Sequence, residues 1–203
     1  MRSPTRPTLI LFCRPDHGMS SELCTQFEYI HVDSGFGCSI YPAGFLSSDG
    51  CDCNPFPEGY DAYPMSDRSF PFPRWWYSNK AYSDLKNELE LRMNVEYGGG
   101  LSVAILHPGL GCGLDGCFDY KNSILLDGDS LVAKRVVSSP IALLQRLINS
   151  ANADASSREV LKSAQSYRRR EAFVSLGDTT GALITLASVL LNLKEEVLAR
   201  FLV

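Results

Sequence analysis

Long apolar runs, charge of one sign and histidine are all scarce in this chain of 203 residues. The longest apolar stretch, Ala182 to Leu193, stops at Lys194-Glu195-Glu196. It falls short of the roughly 17–25 residues that a membrane-crossing helix needs, so a buried helix and no membrane partner are expected. The 19 basic and 23 acidic residues leave a net charge of −4, too little to draw the whole chain to nucleic acid. Only Tyr167-Arg168-Arg169-Arg170 concentrates positive charge. The 3 histidines stand in no local Ser-His-Asp or Cys-His signature, so nucleophilic hydrolase chemistry carries no mark here. The 7 cysteines are an odd number, so a fully paired disulfide framework cannot hold them all. With a polar, Pro-rich start from Met1 to Pro7, a reducing intracellular setting, cytoplasmic or nuclear, is expected.

What is present is ordinary globular material, 45% hydrophobic and 21% charged. Thr8 to Cys13 is a continuous apolar run closed by Pro15 and Gly18, the pattern of a strand buried on both faces. Met19, Leu23 and Phe27 make a short apolar helical stripe, and Glu28 to Val32 and Cys38 to Tyr41 follow as strands. This order predicts an α/β layer architecture. Ala43 to Lys80, rich in proline and aromatic residues, is expected to be an ordered surface excursion with a short strand near Phe70 to Trp76. Tyr82, Leu85, Leu89 and Met93 predict an amphipathic helix over Ala81 to Met93, with Leu101 to Leu106 a second central strand. Asp127-Gly128 suggests a hairpin joining strands at Ser123–Leu126 and Ser130–Val137, a helix followed by a strand being the alternative. Pro140 suits the first turn of a helix to about Ile148, and Ser156 to Ala172 and Asp178 to Leu202 complete a helical tail. The expected division is an α/β body over 1–138 and a helical extension over 139–203.

Leu101 to Leu106 runs straight into His107-Pro108-Gly109-Leu110-Gly111-Cys112-Gly113-Leu114-Asp115-Gly116. Alternating glycines let the backbone approach a ligand and turn successive amides toward an anion, which suits a phosphate or diphosphate. The plain alternative is a tight turn at a strand end. The Pro108–Gly116 run resembles the second ligand loop of macrodomains, the ADP-ribose-binding α/β/α modules. Its Gly-Cys-Gly-Leu-Asp portion is similar to the branch that includes terminal ADP-ribose glycohydrolases. Tyr82-Ser83-Asp84-Leu85 and Val103 to Leu106 stand where that family places the helix and buried strand ahead of the loop. Leu9 to Phe12, Tyr29 to Asp33 and Ser39 to Ala43 resemble its opening elements, and Pro42 to Gly50 resembles its first ligand loop. The similarity covers roughly Thr8 to Tyr120.

The resemblance implies a three-layer α/β/α mixed sheet that binds ADP-ribose, a related nucleotide diphosphate or an ADP-ribosylated target. It implies an adenine contact from Asp33. Ala43, Gly44 and Asp49 would serve as the first loop, and Gly109, Leu110, Gly111, Cys112, Gly113 and Leu114 as the second. Asp115 corresponds to the acid/base group of ADP-ribosyl hydrolysis. Two departures weigh toward binding over catalysis: Gly44 stands where the family carries Asn, and Pro73-Arg74 stands near its nucleophilic Lys. A guanidinium stays protonated and cannot be that nucleophile, and Lys80 lies closer to the helix. Simpler local roles are an Asx turn for Asp33 and turn capping for Asp115.

Cys51 with Cys53, Cys112 with Cys117, and Cys13 with His17 and Cys24 invite a metal, but their spacings depart from zinc knuckles. Free thiols, no metal and no cofactor are expected. His107 is expected to be a satisfied strand-end histidine. Leu183, Leu186, Leu190, Leu193, Val197 and Phe201 keep helical spacing, with Ile184, Leu191 and Leu198 widening the apolar surface. The competing function is therefore a non-enzymatic interaction or self-association module that uses its C-terminal helices.

Overall fold

The structure, a computed structural model, describes residues 6–24, 26, 30, 37–48, 54–65, 75–108, 118–153 and 158–175. In chain order the elements are β1 (Thr8–Phe12), α1 (Gly18–Cys24), β2 (Ser39–Pro42), β3 (Phe45–Ser47), β4 (Ala62–Met65) and β5 (Trp75–Ser78). There follow α2 (Asn79–Met93), β6 (Ser102–Pro108), β7 (Phe118–Asp127), α3 (Gly128–Ala133) and α4 (Pro140–Ala153), then helical residues 158–175, called α5. The expected strand over Glu28 to Val32 and helix over Asp178 to Leu202 lie outside the described residues, apart from Ile30.

The fold is mixed α/β, as the alternation of patterns predicts. A four-stranded sheet runs in the order β2-β1-β6-β7. β2 is parallel to β1, while β6 is antiparallel to both β1 and β7, so the sheet is mixed. All five residues of β1 and the first five of β6 are buried, which is why both read as unbroken apolar runs at the centre of the sheet. β7 lies at an edge and buries only alternate residues near its end, Ile124 and Leu126.

The aromatic excursion holds a second sheet, β3-β5-β4, antiparallel throughout. Pro64 sits in β4, an edge strand, where its missing N–H costs least. Tyr77 of β5 joins this sheet to the body, with ring centroids 4.7 Å from Phe45, 5.6 Å from Tyr63 and 6.3 Å from Tyr82. Tyr82 in turn meets Phe12 at 6.0 Å and Tyr97 at 6.3 Å. Phe45, Tyr63 and Tyr77 of the excursion thus continue into Tyr82, Phe12 and Tyr97 as an aromatic seam between the sheets.

α2 begins two residues before Ala81 because Ser78 caps it, its hydroxyl accepting from Ala81 N at 3.2 Å. It ends at Asn94, whose φ of 52° is the left-handed cap conformation that asparagine tolerates.

At Asp127-Gly128 the expected strand over Ser123–Leu126 is present within the ten-residue β7, but a helix follows it in place of the expected second strand over Ser130–Val137. The Asp127 carboxylate accepts from Ser130 N at 2.9 Å and starts α3. Gly128 N donates to Leu101 O at 2.8 Å, and a Cβ on Gly128 would crowd Leu101 at 3.0 Å. The same dipeptide that makes a hairpin turn also makes a helix cap and a close approach, and burial of Leu131 decides for the helix.

α4 packs against α1 and α3 and contributes Leu143, Leu144, Leu147 and Ile148 to one core with Leu9, Leu11 and Val103. Its Pro140 takes the predicted first position, with Ser139 Oγ accepting from Ala142 N at 3.1 Å. α5 adds Val160, Ala164 and Tyr167 to the same core. Among the described residues, no helix is long and apolar enough to cross a membrane.

Candidate functional site

Of the residues singled out for ligand contact, Asp33, Asp49, Gly109, Leu110, Gly111, Cys112, Gly113, Leu114 and the acid/base candidate Asp115 lie outside the described residues. Ala43 and Gly44 are described, and both are committed to packing. Ala43 N donates to Leu11 O at 2.8 Å, and Gly44 O accepts from Ser78 N at 2.9 Å. Gly44 has a φ of +79°, and a Cβ there would lie 2.8 Å from Tyr82 Cβ and 2.9 Å from Ser78 O. Glycine is needed because the chain turns in a left-handed conformation against the start of α2. No side chain of any kind has room, so a ligand-contacting asparagine would not fit at this position.

The glycine-rich run is carried between paired strands. Pro108 faces Phe118 and His107 faces Asp119, so residues 109–117 join β6 to β7 from a closed base. His107 N donates to Ser123 Oγ at 3.0 Å, and Ser123 Oγ donates to Asp119 O at 2.8 Å. The His107 ring Nδ1 lies 2.7 Å from Pro108 O. The Asn122 side-chain amide, helped by backbone N–H groups of Asn122 and Lys121, holds the Asp119 carboxyl below its ordinary range. His107 is therefore tied down at the strand end, as expected, with its backbone and ring both engaged.

Strand direction sets the relation between the two loops. Leu11 pairs with Pro42 on one side and Val103 on the other, so Ala43 and Gly44 leave the sheet where β1 ends and β6 begins. Pro108 lies at the opposite end of the strands, five residues beyond Val103, about 17 Å along a strand. The described ends of the two loops thus do not converge.

Other chemistry collects where β1 ends. Cys13 is fully buried, and burial together with a hydrogen bond to Cys24 pushes its thiol well up. Arg14 pairs with Asp16 at 2.8 Å. The Tyr77 hydroxyl and the Arg14 Nε are buried with no hydrogen-bond partner, and burial raises the phenol of Tyr77 well above its ordinary value. Among the described residues no group of three His, Cys, Asp or Glu is placed to hold a metal. Cys51, Cys53, Cys112 and Cys117 lie outside those residues.

A second feature lies on the helical side. Lys134, Arg135 and Val136, just after α3, meet Arg169, Arg170, Phe173 and Val174 of α5 around a groove of about 500 Å³. Lys134 Nζ is 3.1 Å from Glu171 Oε1, and the Ser130 hydroxyl donates to that same oxygen at 2.5 Å. These contacts pin α3 to α5 and hold the groove's two walls in register. The sequence marks Arg168 to Arg170 as basic but leaves Lys134, Arg135 and Phe173 unmarked. The spacing of Arg169, Arg170, Phe173 and Val174 on one helix was the only local sign, and their partners lie far away in the chain.

No protein-family model, curated protein or solved structure matches this chain.

Proposed function

We propose that this chain binds a phosphate-bearing small molecule, ADP-ribose or a related nucleotide diphosphate, through the Pro108–Gly116 run. The observation that supports it most is the base of that run: Pro108 opposite Phe118, two residues beyond Leu106, the last buried residue of β6. A glycine-rich connection on a fixed base loses little entropy on closing around an anion, and its amides need no basic surface to hold one. Because Ala43 and Gly44 are spent on packing at the far end of the strands, the diphosphate contacts are assigned to residues 109–114 alone. The adenine contact from Asp33, a part for Asp49 and macrodomain-like layering belong to the same proposal and rest on the sequence resemblance. Acid/base help from Asp115 in ADP-ribosyl hydrolysis is its least supported part, since no lysine nucleophile accompanies it.

Calorimetric titration of the full chain with ADP-ribose, ADP and adenosine tests this reading. ADP-ribose and ADP are expected to bind, adenosine to bind far more weakly, and Gly111→Glu to abolish the heat by placing a carboxylate against the diphosphate. Absence of heat at millimolar ADP-ribose overturns the proposal. Unchanged affinity in Gly111→Glu puts the site elsewhere.

A further inference from the structure

We propose that the groove between the end of α3 and residues 169–174 of α5 is a docking surface for an acidic amphipathic peptide segment of a partner protein. This inference is independent of the diphosphate reading and uses none of its residues. Three observations carry it. First, among the described residues the groove's positive charge is left uncompensated, on a chain whose net charge is −4: Glu171, the carboxylate that bridges the walls, is taken by Lys134 and Ser130. Arg135, Arg169 and Arg170 have no carboxylate partner among the described residues. Second, the same groove is lined by Val136, Phe173 and Val174 beside the cations, with Phe173 77% exposed. A large exposed aromatic beside unpaired guanidiniums is the arrangement that interfaces favour, because arginine and aromatic groups dominate binding energy once desolvated. Third, a volume of about 500 Å³ holds a few side chains, the size of an anchor pocket rather than of a whole domain interface.

The complementary ligand follows from these features. Carboxylates suit the planar, two-pronged guanidiniums, and a leucine or phenylalanine a few residues away covers Phe173. A nucleic-acid strand fits less well. It calls for a continuous basic track with several stacking aromatics, whereas this short groove is lined by a single aromatic, Phe173.

Fluorescence anisotropy of the full chain provides the test, with a labelled peptide of repeated Glu-Glu-Leu-Phe units as the probe. Its Gln-Gln-Leu-Phe counterpart and a single-stranded oligouridylate serve as the other arms. The acidic peptide is expected to bind saturably, and both the Gln peptide and the variant Arg169→Glu/Arg170→Glu to bind at least about tenfold more weakly. Phe173→Ser is expected to weaken binding several-fold, which a purely electrostatic attraction would not show. The Gln peptide keeps the comparison valid whatever the variants do to folding. No saturable binding, equal binding of the Gln peptide, or tighter binding of the oligouridylate overturns the proposal.

Discussion

A methyl group added at Gly44 would come within 2.8–2.9 Å of Tyr82 Cβ, Ser78 O and Tyr77 Cε2, on a backbone whose φ is +79°. Left-handed strain and overpacking act together there, so Gly44→Ala is expected to cost about 3 kcal/mol in urea unfolding. A ligand-loop glycine free to face solvent would tolerate the change with a much smaller loss. Arg135 offers the opposite case, an arginine held at a φ of 56° beside the groove. Arg135→Gly is expected to leave stability unchanged or raise it by up to about 1 kcal/mol, while weakening the acidic peptide. Denaturation midpoints and anisotropy, measured on the same preparation, separate the two effects. Neither position was legible from residue type. A glycine after proline and alanine looks the same whether it greets a ligand or a helix, and arginine gives no sign of a left-handed backbone.

Among the elements, those with a complete local pattern were legible. β1 and β6 follow from continuous apolar runs, and α2 from Tyr82, Leu85, Leu89 and Met93, because burial on two faces or one stripe leaves its period in the chain. The small sheet was only half legible. Trp75–Ser78 overlaps the strand expected near Phe70 to Trp76, but β3 and β4 are short and bear prolines or serines, so no period could announce them. Helix starts turn on single caps. Ser78→Ala and Asp127→Ala should each lower stability by about 1 kcal/mol, with Asp127→Ser recovering most of that loss. If Asp127→Ala were neutral, the α3 start would rest on Gly128 and Leu131 rather than on the cap.

For the whole molecule, alkaline pH is the expected weakness. Burial raises the Cys38 thiol from its ordinary value of 9.0 to about 11, and it also raises Cys13, Tyr77 and Tyr97. The unfolded chain gives up the Cys38 proton near 9 while the folded chain keeps it to about 11. The folded state therefore binds more protons in that window, so its stability is full below pH 9 and falls as pH rises toward 11. Thermal midpoints at roughly pH 7.5, 9 and 10.5, below, at and above the ordinary thiol value, should decline in that order and most steeply over the last step. Cys38→Ala should flatten part of the decline. Truncation after Ser139 is a second test at this scale. Because Leu143, Leu144 and Leu147 are at most 1% exposed in the common core, the remaining body is expected to lose cooperative unfolding. A soluble, cooperatively folded fragment would show that α4 only rests on the body. The sequence by itself determined the α/β class, the two buried central strands and α2, because those depend on patterns within a few residues. It also singled out the Pro108–Gly116 run. Only the tertiary structure decided that β6 runs against β1, that Ala43 and Gly44 close a turn against α2, and that Lys134 and Arg135 face Arg169 and Arg170. Strand direction and the meeting of distant side chains are settled by which long-range pairs bury best, and no local period records that outcome.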